Sequence, residues 1–284
     1  ALVLADPLRE EEIAPPPAPL PDAPAYFLFT SGTTGEPSGV AVSHRPLNVF
    51  TRFQAAHFGI GTGDRVTMFS GLGHDPLLRD IFTCLGAGAT LLVPTQDDLL
   101  APGALPRWVA RFRPTVSHLT PPLGILLLAG AEEGALSSLR LLFWGGDMLR
   151  PALVERVRTA APGAAHVNFY GATETPQAAA AFPLDEEALR SSLRSVPIGR
   201  ATAGHRLRVI GDDGDALGAF EPGEVEVCSP LLSLGRLRQG EILPFATPER
   251  YRTGDRGFHR ADGNIQLAGR IDDQVKIRGY RIEP

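Results

Sequence analysis

Short apolar runs alternate with amphipathic stretches from residue 26 to about residue 171. The apolar runs have the length and the β-branched or aromatic content of buried strands, and they lie at residues 66–69, 89–93, 115–119 and 139–144. The stretches between them predict helices at residues 76–85, 105–112, 123–128 and 151–160. Strand–helix alternation at this spacing is typical of parallel βαβ units.

The pattern changes near residue 198. Segments 206–210, 223–227, 264–267 and 274–277 have the pattern of short strands, and a Gly-Asp-Asp-Gly turn at 211–214 follows the first, which indicates a β meander. We therefore predict an α/β fold in which a parallel βαβ sheet layer is followed by a β-rich subdomain. The predicted parts are residues 1–24, a short strand and a proline-rich connector, residues 25–197, the α/β subdomain, and residues 198–271, the β-rich subdomain.

Composition narrows the class of protein. Of the 284 residues, 43% are hydrophobic and 21% charged, which is ordinary for a globular protein. A net charge of −5 without a basic cluster argues against nucleic acid as the main partner. The longest apolar stretch, residues 119–131, is interrupted by Pro121 and Pro122, so no membrane span is predicted. Cys84 and Cys228 are the only cysteines, which argues against a zinc cluster and indicates a reducing, cytoplasmic location.

A glycine- and hydroxyl-rich segment, TSGTTGEPSG, runs from Thr30 to Gly39 directly after a short apolar strand. Its glycines allow sharp turns that expose backbone N–H groups, and its hydroxyls add small donors, a combination suited to phosphate oxygens. It has neither the Gly-Lys-Ser/Thr ending of a Walker A loop nor a GxGxxG fingerprint. The segment is a candidate phosphate loop, with a flexible polar turn as the alternative.

Four motifs, in order, resemble those of the adenylate-forming superfamily of acyl-CoA synthetases, luciferases and nonribosomal peptide synthetase adenylation domains. They are the loop at 30–39, NFYGATE at 168–174, YRTGD at 251–255 and GRIDDQVKIRG at 269–279, the last in the form typical of peptide synthetases. The resemblance covers nearly the whole chain. It implies an incomplete core of such an enzyme, with residues 272–284, including Asp272, as a hinge toward a C-terminal domain.

The resemblance implies condensation of a carboxylate with ATP to an acyl-adenylate, followed by transfer of the acyl group to the phosphopantetheine thiol of a carrier protein. Mg²⁺ would be bound by Glu174 and Thr34, with Thr33 close to the phosphates. Tyr170 would stack on adenine, and Asn168 would bind its amino group. The full implied nucleotide set is Thr30, Ser31, Gly32, Gly35, Gly145, Gly146, Asn168, Tyr170, Thr173, Asp255 and Arg270.

These assignments have structural alternatives. Glu174 is alternatively a residue in the first turn of a helix, where the dipole favours a carboxylate, but the preceding YGAT favours the metal role. Tyr170 is alternatively a core aromatic residue with a hydrogen-bonded hydroxyl. The resemblance implies that Asp255 accepts hydrogen bonds from both ribose hydroxyls beside Arg270, whereas a turn aspartate and a surface arginine are the alternative.

The resemblance also implies a substrate pocket. In amino-acid-activating relatives an aspartate binds the substrate amine, and Asp75 falls on that position, in a His-Asp-Pro form similar to that of aminoadipate reductases and reductase-terminated modules. Asp75 alternatively caps the helix that starts at Pro76. Arg79, one helical turn later, either selects an anionic substrate group or neutralises Asp75. The implied lining is His74, Asp75, Pro76, Arg79, His118, Phe143, Gly145, Phe169, Gln177 and Ala178, and His118 is alternatively a buried strand histidine.

Two departures from the family pattern limit the expected activity. Ser38 stands where the family usually has a lysine close to the outgoing pyrophosphate. The start at Ala1 and the end at Pro284 predict a fragment of a longer polypeptide that adenylates slowly by itself, with a complete small protein as the alternative. A carboxylate–CoA ligase and a degenerate, non-catalytic nucleotide-binding or scaffold fragment are the other functions that remain open, while Asp75 and the KIRGYRIEP ending favour the carrier-linked enzyme.

Overall fold

The structure, a computed structural model, describes residues 17–30, 38–187, 194–247, 249–272, 275–277 and 280–282. Its helices are α1 (His44–His57), α2 (Pro76–Gly86), α3 (Gln96–Leu100), α4 (Ala104–Phe112), α5 (Pro121–Leu128) and α6 (Pro151–Ala160). The strands up to residue 201 are β1 (Pro24–Thr30), β2 (Ser38–Ser43), β3 (Arg65–Thr67), β4 (Thr90–Leu92), β5 (Val116–Leu119), β6 (Leu141–Trp144), β7 (Ala165–Ala172), β8 (Thr175–Leu184) and β9 (Arg200–Ala201). The later strands are β10 (Arg206–Ile210), β11 (Gly223–Cys228), β12 (Gly235–Arg238), β13 (Glu241–Leu243), β14 (Arg250–His259), β15 (Ile265–Arg270), β16 (Val275–Ile277) and β17 (Tyr280–Ile282).

A seven-stranded sheet in the order β4-β3-β5-β6-β7-β8-β9 forms the centre of the molecule. Strands β4 to β7 in this order run parallel, β8 runs antiparallel to β7, and β9 runs antiparallel to β8. Alternate residues of β6 pack into different hydrophobic clusters: Leu141 and Phe143 with residues of α1 and α2, and Leu142 and Trp144 with residues of α4, α5 and α6. Helices therefore cover both faces, as βαβ connections require.

Two antiparallel sheets flank this layer. The order β10-β11-β14-β15 forms the β-rich sheet, which packs against the central sheet through a cluster that includes Tyr170, Ala180, Val209 and Ile265. The order β1-β2-β12-β13 forms a small sheet. Among the described residues, no helix has both the length and the apolar content needed to cross a lipid bilayer.

The predicted α/β fold with a parallel sheet and a β-rich part is confirmed, and the four predicted helices lie within two residues of their expected bounds. Helices α1 and α3 were not predicted. The predicted division at residue 197 does not separate the sheets, because β12 and β13 pair with β1–β2 and β9 extends the central sheet. These pairings join segments far apart in sequence, which periodicity does not reveal.

Hydrogen bonds to a buried carboxylate join the N-terminal ends of three adjacent parallel strands. Asp64 precedes β3 and accepts hydrogen bonds from Nε and Nη2 of Arg140, before β6, at 2.8 and 2.7 Å. The hydroxyl of Thr115, before β5, donates to the same carboxylate at 2.7 Å. Burial opposes the charged form, but the hydrogen bonds from Arg140 and Thr115 outweigh it and lower the pKa of Asp64 from 3.8 to about 2.

Replacing Asp64 with asparagine is expected to lower the free energy of unfolding by about 2 kcal/mol at pH 7, since the shifted pKa measures the preference for the charged form. The folded pKa lies below the unfolded one, so this stabilisation is present above pH 4 and is lost as the pH falls toward 2. Urea unfolding at several pH values measures it. Asp22→Asn removes an equally short but exposed pair with Arg45 and should leave stability unchanged; equal effects of the two variants would contradict the assignment.

Candidate functional site

A pocket opens where β7 meets the β14–β15 pair of the β-rich sheet. Five of the predicted nucleotide residues line it: Gly146, Asn168, Tyr170, Asp255 and Arg270. The loop after β6 contributes Gly146, whose φ of +83° is accessible to glycine with little strain. The pocket lies beyond the carboxyl ends of parallel strands β6 and β7, the usual position of ligand crevices in α/β sheets.

Asp255 is the centre of the polar groups in this pocket. Its Oδ2 accepts a hydrogen bond of 2.5 Å from the hydroxyl of Tyr170, and its Oδ1 lies 2.6 Å from Nη1 of Arg270. Burial and the nearby carboxylate raise the pKa of Tyr170, so its hydroxyl remains a donor. Each carboxylate oxygen has more than one acceptor position, so Asp255 can still accept hydrogen bonds from two neighbouring ligand hydroxyls.

Arg270 extends this cluster to Asp272, the predicted hinge residue. Nε and Nη2 of Arg270 donate to the two carboxylate oxygens of Asp272 at 2.6 and 2.7 Å. Burial acts against the charge of Arg270, but the two aspartates outweigh it and raise the pKa of Arg270. Gly254 permits this arrangement, because a Cβ there would lie 2.7 Å from Nη2 of Arg270. Arg270 is therefore not a free surface arginine but the link between Asp255 and Asp272.

Asn168 lies on β7 beside Tyr170. Its Nδ2 donates to the carbonyl of Pro197 at 2.9 Å, which fixes the amide orientation and leaves Oδ1 as an acceptor. The exocyclic amino group of a base donates hydrogen bonds, so it can bind to this acceptor. Gly145 and Thr173 do not line the pocket; Gly145 directly precedes the lining residue Gly146, and Thr173 lies two residues after the lining residue Gly171.

The predicted metal and phosphate residues are described only in part. Ser31, Gly32, Thr33, Thr34 and Gly35 lie outside the described residues, and Thr30 is described only as the end of β1. Glu174 lies in the turn between β7 and β8, so the helix-start alternative is wrong. Its carboxylate is buried and lies 3.5 Å from Nη2 of Arg236. The described residues hold no group of three or more His, Cys, Asp or Glu side chains suited to a metal. Mg²⁺ commonly takes one carboxylate together with substrate phosphates, and Glu174 is a carboxylate that fits this role.

Asp75 is buried at the start of α2 and is fully engaged. Its Oδ1 accepts from the Tyr26 hydroxyl at 2.6 Å and from Nε2 of Gln177 at 2.9 Å, and its Oδ2 accepts from the backbone N–H of Gln177 at 2.5 Å. Asp75 is the N-cap residue of α2, but its side chain makes no capping hydrogen bond and binds Tyr26 and Gln177 instead. Burial raises the pKa of Asp75, and the hydrogen bonds from Tyr26 and Gln177 oppose that shift.

Arg79 holds the other side of the same peptide unit. Its Nη1 donates to the carbonyl of Gln177 at 3.1 Å, and its guanidinium lies 5.7 and 5.5 Å from the ring centres of Phe50 and Phe169. Gln177 has a φ of +71°, an unfavourable conformation for a residue with a side chain. Asp75 and Arg79 together hold it there, and Nε of Arg79 remains buried with no hydrogen-bond partner among the described residues.

His118 lies in a closed network rather than at an open pocket. Its Nδ1 is 2.6 Å from Oδ1 of Asp80, and its Nε2 is 2.6 Å from Nε2 of Gln54, which accepts from Thr83 through Oε1. An amide nitrogen only donates, so Nε2 of His118 accepts and the ring proton is on Nδ1. Burial lowers the pKa of His118, which keeps the ring neutral. The buried-histidine alternative therefore describes His118.

The remaining predicted substrate residues surround this network. The rings of His118, Phe143 and Phe169 stack in a row across β5, β6 and β7, with successive centres 4.8 Å apart. Pro76 is the first residue of α2, Ala178 is buried beside Gln177 on β8, and His74 is half-buried. Contacts thus join part of the predicted substrate set into one region between α2 and the central sheet, namely Asp75, Arg79, His118, Phe143, Phe169 and Gln177.

Three side chains that complete this region were not predicted from the sequence: Tyr26, Gln54 and Asp80. Asp80 and Gln54 are fully buried, and each is a polar residue on the core side of a helix. Such a position was the available signal, since buried polar side chains need partners. Tyr26 gave no comparable signal, because its partner Asp75 is 49 residues away.

Comparisons with known proteins agree with this arrangement. The AMP-binding enzyme family matches residues 3–236. L-2-aminoadipate reductase of Schizosaccharomyces pombe is 36% identical over 299 residues, which cover 93% of this chain and 21% of that protein. The chain thus spans about a fifth of the length of this relative.

Two solved structures have closely similar folds. The Vibrio cholerae adenylation domain AlmE, solved with glycyl-adenosine-5'-phosphate, has a TM-score of 0.81 at 30% identity, covering 93% of this chain and 51% of that one. Holo-PA1221, a nonribosomal peptide synthetase protein with adenylation and PCP domains, has a TM-score of 0.80 at 27% identity, covering 98% and 50%.

Asp255→Asn is expected to weaken AMP binding by about 10- to 100-fold, the range of a lost hydrogen bond to a charged group. The amide offers one acceptor oxygen, and its NH₂ group faces donors from Tyr170 or Arg270. Isothermal titration with AMP measures the change. Asp262→Asn, which alters another Asp–Arg pair in the same sheet region, is the control. Unchanged AMP affinity in Asp255→Asn would remove Asp255 from the nucleotide site.

Proposed function

The chain belongs to the AMP-binding enzyme family, and we propose that it activates an amino acid, or a related carboxylic acid, for transfer to a carrier protein. A substrate carboxylate oxygen bonds to the α-phosphorus of ATP, and the bond to the β,γ-pyrophosphate breaks, giving an acyl-adenylate. The thiol of a carrier-bound phosphopantetheine then takes the acyl group, and AMP leaves. Mg²⁺ would neutralise phosphate charge during the first step.

The observation that carries the proposal is the cluster of Tyr170, Asp255 and Arg270 in a pocket next to the buried Asp75 region. Asp255 supports recognition of a ribose, because one carboxylate can accept hydrogen bonds from two adjacent hydroxyls. Asn168 offers an acceptor for a base amino group. Phe169 lines this pocket and also stacks on Phe143 of the substrate region, so a nucleotide and an acid bound in the two places would be neighbours. Bringing them together supplies much of the rate enhancement in such a reaction.

Charge in the substrate region supports an amino acid rather than a simple carboxylic acid. The region contains two buried carboxylates, Asp75 and Asp80, against one buried guanidinium, Arg79. Burial lowers the pKa values of His74 and His118, so neither ring adds a positive charge at neutral pH. A ligand ammonium group would balance the remaining negative charge.

The names of similar proteins also support an amino acid as the substrate. AlmE was solved with an aminoacyl-adenylate, and PA1221 combines adenylation with PCP domains. The S. pombe relative is named for 2-aminoadipate, an amino acid with a second carboxylate. These properties are proposed here for the present chain.

ATP–pyrophosphate exchange by the full-length protein, with a panel of acids, tests the proposal. We expect exchange with one or a few amino acids and none without added acid. Exchange only with fatty or aryl acids would favour a carboxylate–CoA ligase. A protein that binds ATP but exchanges with no acid would be the non-catalytic alternative.

We further propose that Arg79 selects an anionic side chain in the substrate. Its buried Nε lacks a partner among the described residues, so one donor of the guanidinium is available. Arg79→Leu should lower exchange with acidic amino acids at least tenfold relative to neutral ones, about 1.4 kcal/mol in specificity. The KM for ATP and the circular dichroism spectrum serve as controls for folding. An unchanged preference would instead assign Arg79 to the neutralisation of Asp75.

A further inference from the structure

Glu174 and Arg236 form an ion pair next to the small β sheet. The Glu174 side chain is 1% exposed, whereas that of Arg236 is 38% exposed, and Nη2 of Arg236 lies 3.5 Å from Oε1 of Glu174. A carboxylate this deeply buried needs a cation or several donors. The Arg236 side chain therefore contacts Glu174 and remains partly accessible to solvent, so that it can also contact a ligand.

Backbone hydrogen bonds fix this pair close to the start of β2. The N–H of Ser233 donates to the carbonyl of Glu174 at 3.0 Å, and the N–H of Leu234 donates to the carbonyl of Ala41 at 2.8 Å. Arg236 then pairs with Val40 across the β2–β12 ladder. Because the candidate phosphate loop ends at Gly39, Arg236 lies opposite the residue that directly follows the loop.

A second observation is a buried hydroxyl without a hydrogen-bond partner at the same place. The hydroxyl of Ser233 is buried and has no hydrogen-bond partner among the described residues. Unpartnered buried polar atoms are few in folded proteins, and they are expected where a polar ligand binds. Ser233 is adjacent in space to Glu174 through its own backbone bond.

The sequence favours arginine, rather than lysine, as the phosphate-binding cation. Lys276 is the only lysine in the chain, and Ser38 occupies the position at which the family loop usually has one. Two other arginines of the candidate site lie in different surroundings: Arg270 binds two aspartates, and Arg79 lies in the substrate region, where its Nη1 donates to the carbonyl of Gln177. Charge that develops on a departing pyrophosphate needs a positioned cation.

We propose that Arg236 is a phosphate-binding residue that supplies, next to Glu174, the positive charge absent at position 38. The inference rests on the proposed function for the identity of the ligand, a nucleoside triphosphate or pyrophosphate. Arginine suits the role because its fork of donors can bind a carboxylate on one edge and phosphate oxygens on the other.

The first test compares binding of MgATP, pyrophosphate and adenosine to three variants by isothermal titration. Arg236→Gln should weaken MgATP and pyrophosphate binding by about 10- to 100-fold and leave adenosine binding unchanged, as expected for one charged hydrogen-bond donor. Arg236→Lys should lose less, since it keeps the charge. Arg208→Gln is the matched control, because Arg208 forms a similar pair with the buried Glu226 in the β-rich sheet. An unchanged ratio of MgATP to adenosine affinity in Arg236→Gln would overturn the proposal, as would an equal loss in Arg208→Gln.

A second test needs no variant and applies even if Arg236→Gln fails to fold. Phenylglyoxal modifies accessible arginines, and mass spectrometry reports the rate at each one. MgATP and pyrophosphate should slow modification of Arg236 at least fivefold, and adenosine should not. Arg252, which is 53% exposed and paired with Glu224, is the internal control. Equal rates at Arg236 with and without MgATP would contradict the proposal.

These tests separate the inference from the proposed function. Arg236-dependent MgATP binding without exchange for any acid would retain the phosphate site and reject acid activation. Exchange with amino acids that is unaffected in Arg236→Gln would retain acid activation and reject the phosphate site at Arg236.

Discussion

The burial of three charged side chains on one helix is the constraint on which the substrate region depends. Asp75, Arg79 and Asp80 lie within the first five residues of α2 or directly before it, and all three are buried. Burying charge is unfavourable unless partners replace the lost water, so each must find donors or acceptors on another element. Asp75 finds them on β1 and β8, Arg79 on β8 and Asp80 on β5. Helix α2 is therefore fixed to three strands by polar contacts, in addition to its apolar packing.

This constraint also links the two halves of the candidate site. Tyr26, which binds Asp75, lies on β1, the strand that leads into the candidate phosphate loop. On the other side of the sheet layer, Tyr170 of β7 binds Asp255 of β14, and Arg270 of β15 continues the chain of contacts to Asp272. Hydroxyl-to-carboxylate bonds thus set the positions of both acids relative to the central sheet. A displacement of α2 or β14 would lengthen these hydroxyl–carboxylate hydrogen bonds, which are shorter than 2.7 Å.

Periodicity and turn chemistry were sufficient for the regular elements of the central sheet. Helix α6, for example, starts at Pro151 and ends at Ala160 as the proline and the apolar spacing predict. Helix α1 was not predicted from the sequence for three reasons. It has no side-chain cap at Ser43, its third residue is a proline, and its mean hydropathy is close to zero. The small β sheet could not be found from local signals, since β2 and β12 are nearly 200 residues apart. Motifs located Asp255, Arg270 and Tyr170, but only coordinates reveal that they bind one another, or that His118 belongs to a neutral network with Gln54 and Asp80.

The strained peptide of Gln177 has a consequence for how specificity can change. Its N–H and C=O are held by Asp75 and Arg79, so two main-chain hydrogen bonds support the left-handed turn of the backbone, while its side-chain Nε2 donates to Asp75 as well. A different side chain at 177 would remove the Nε2 bond and leave a buried oxygen of Asp75 with one donor fewer, but the two main-chain bonds that direct β8 would remain. Because the main chain is anchored from a neighbouring helix, a substitution at this position acts on the partners of Asp75 rather than on the path of the strand.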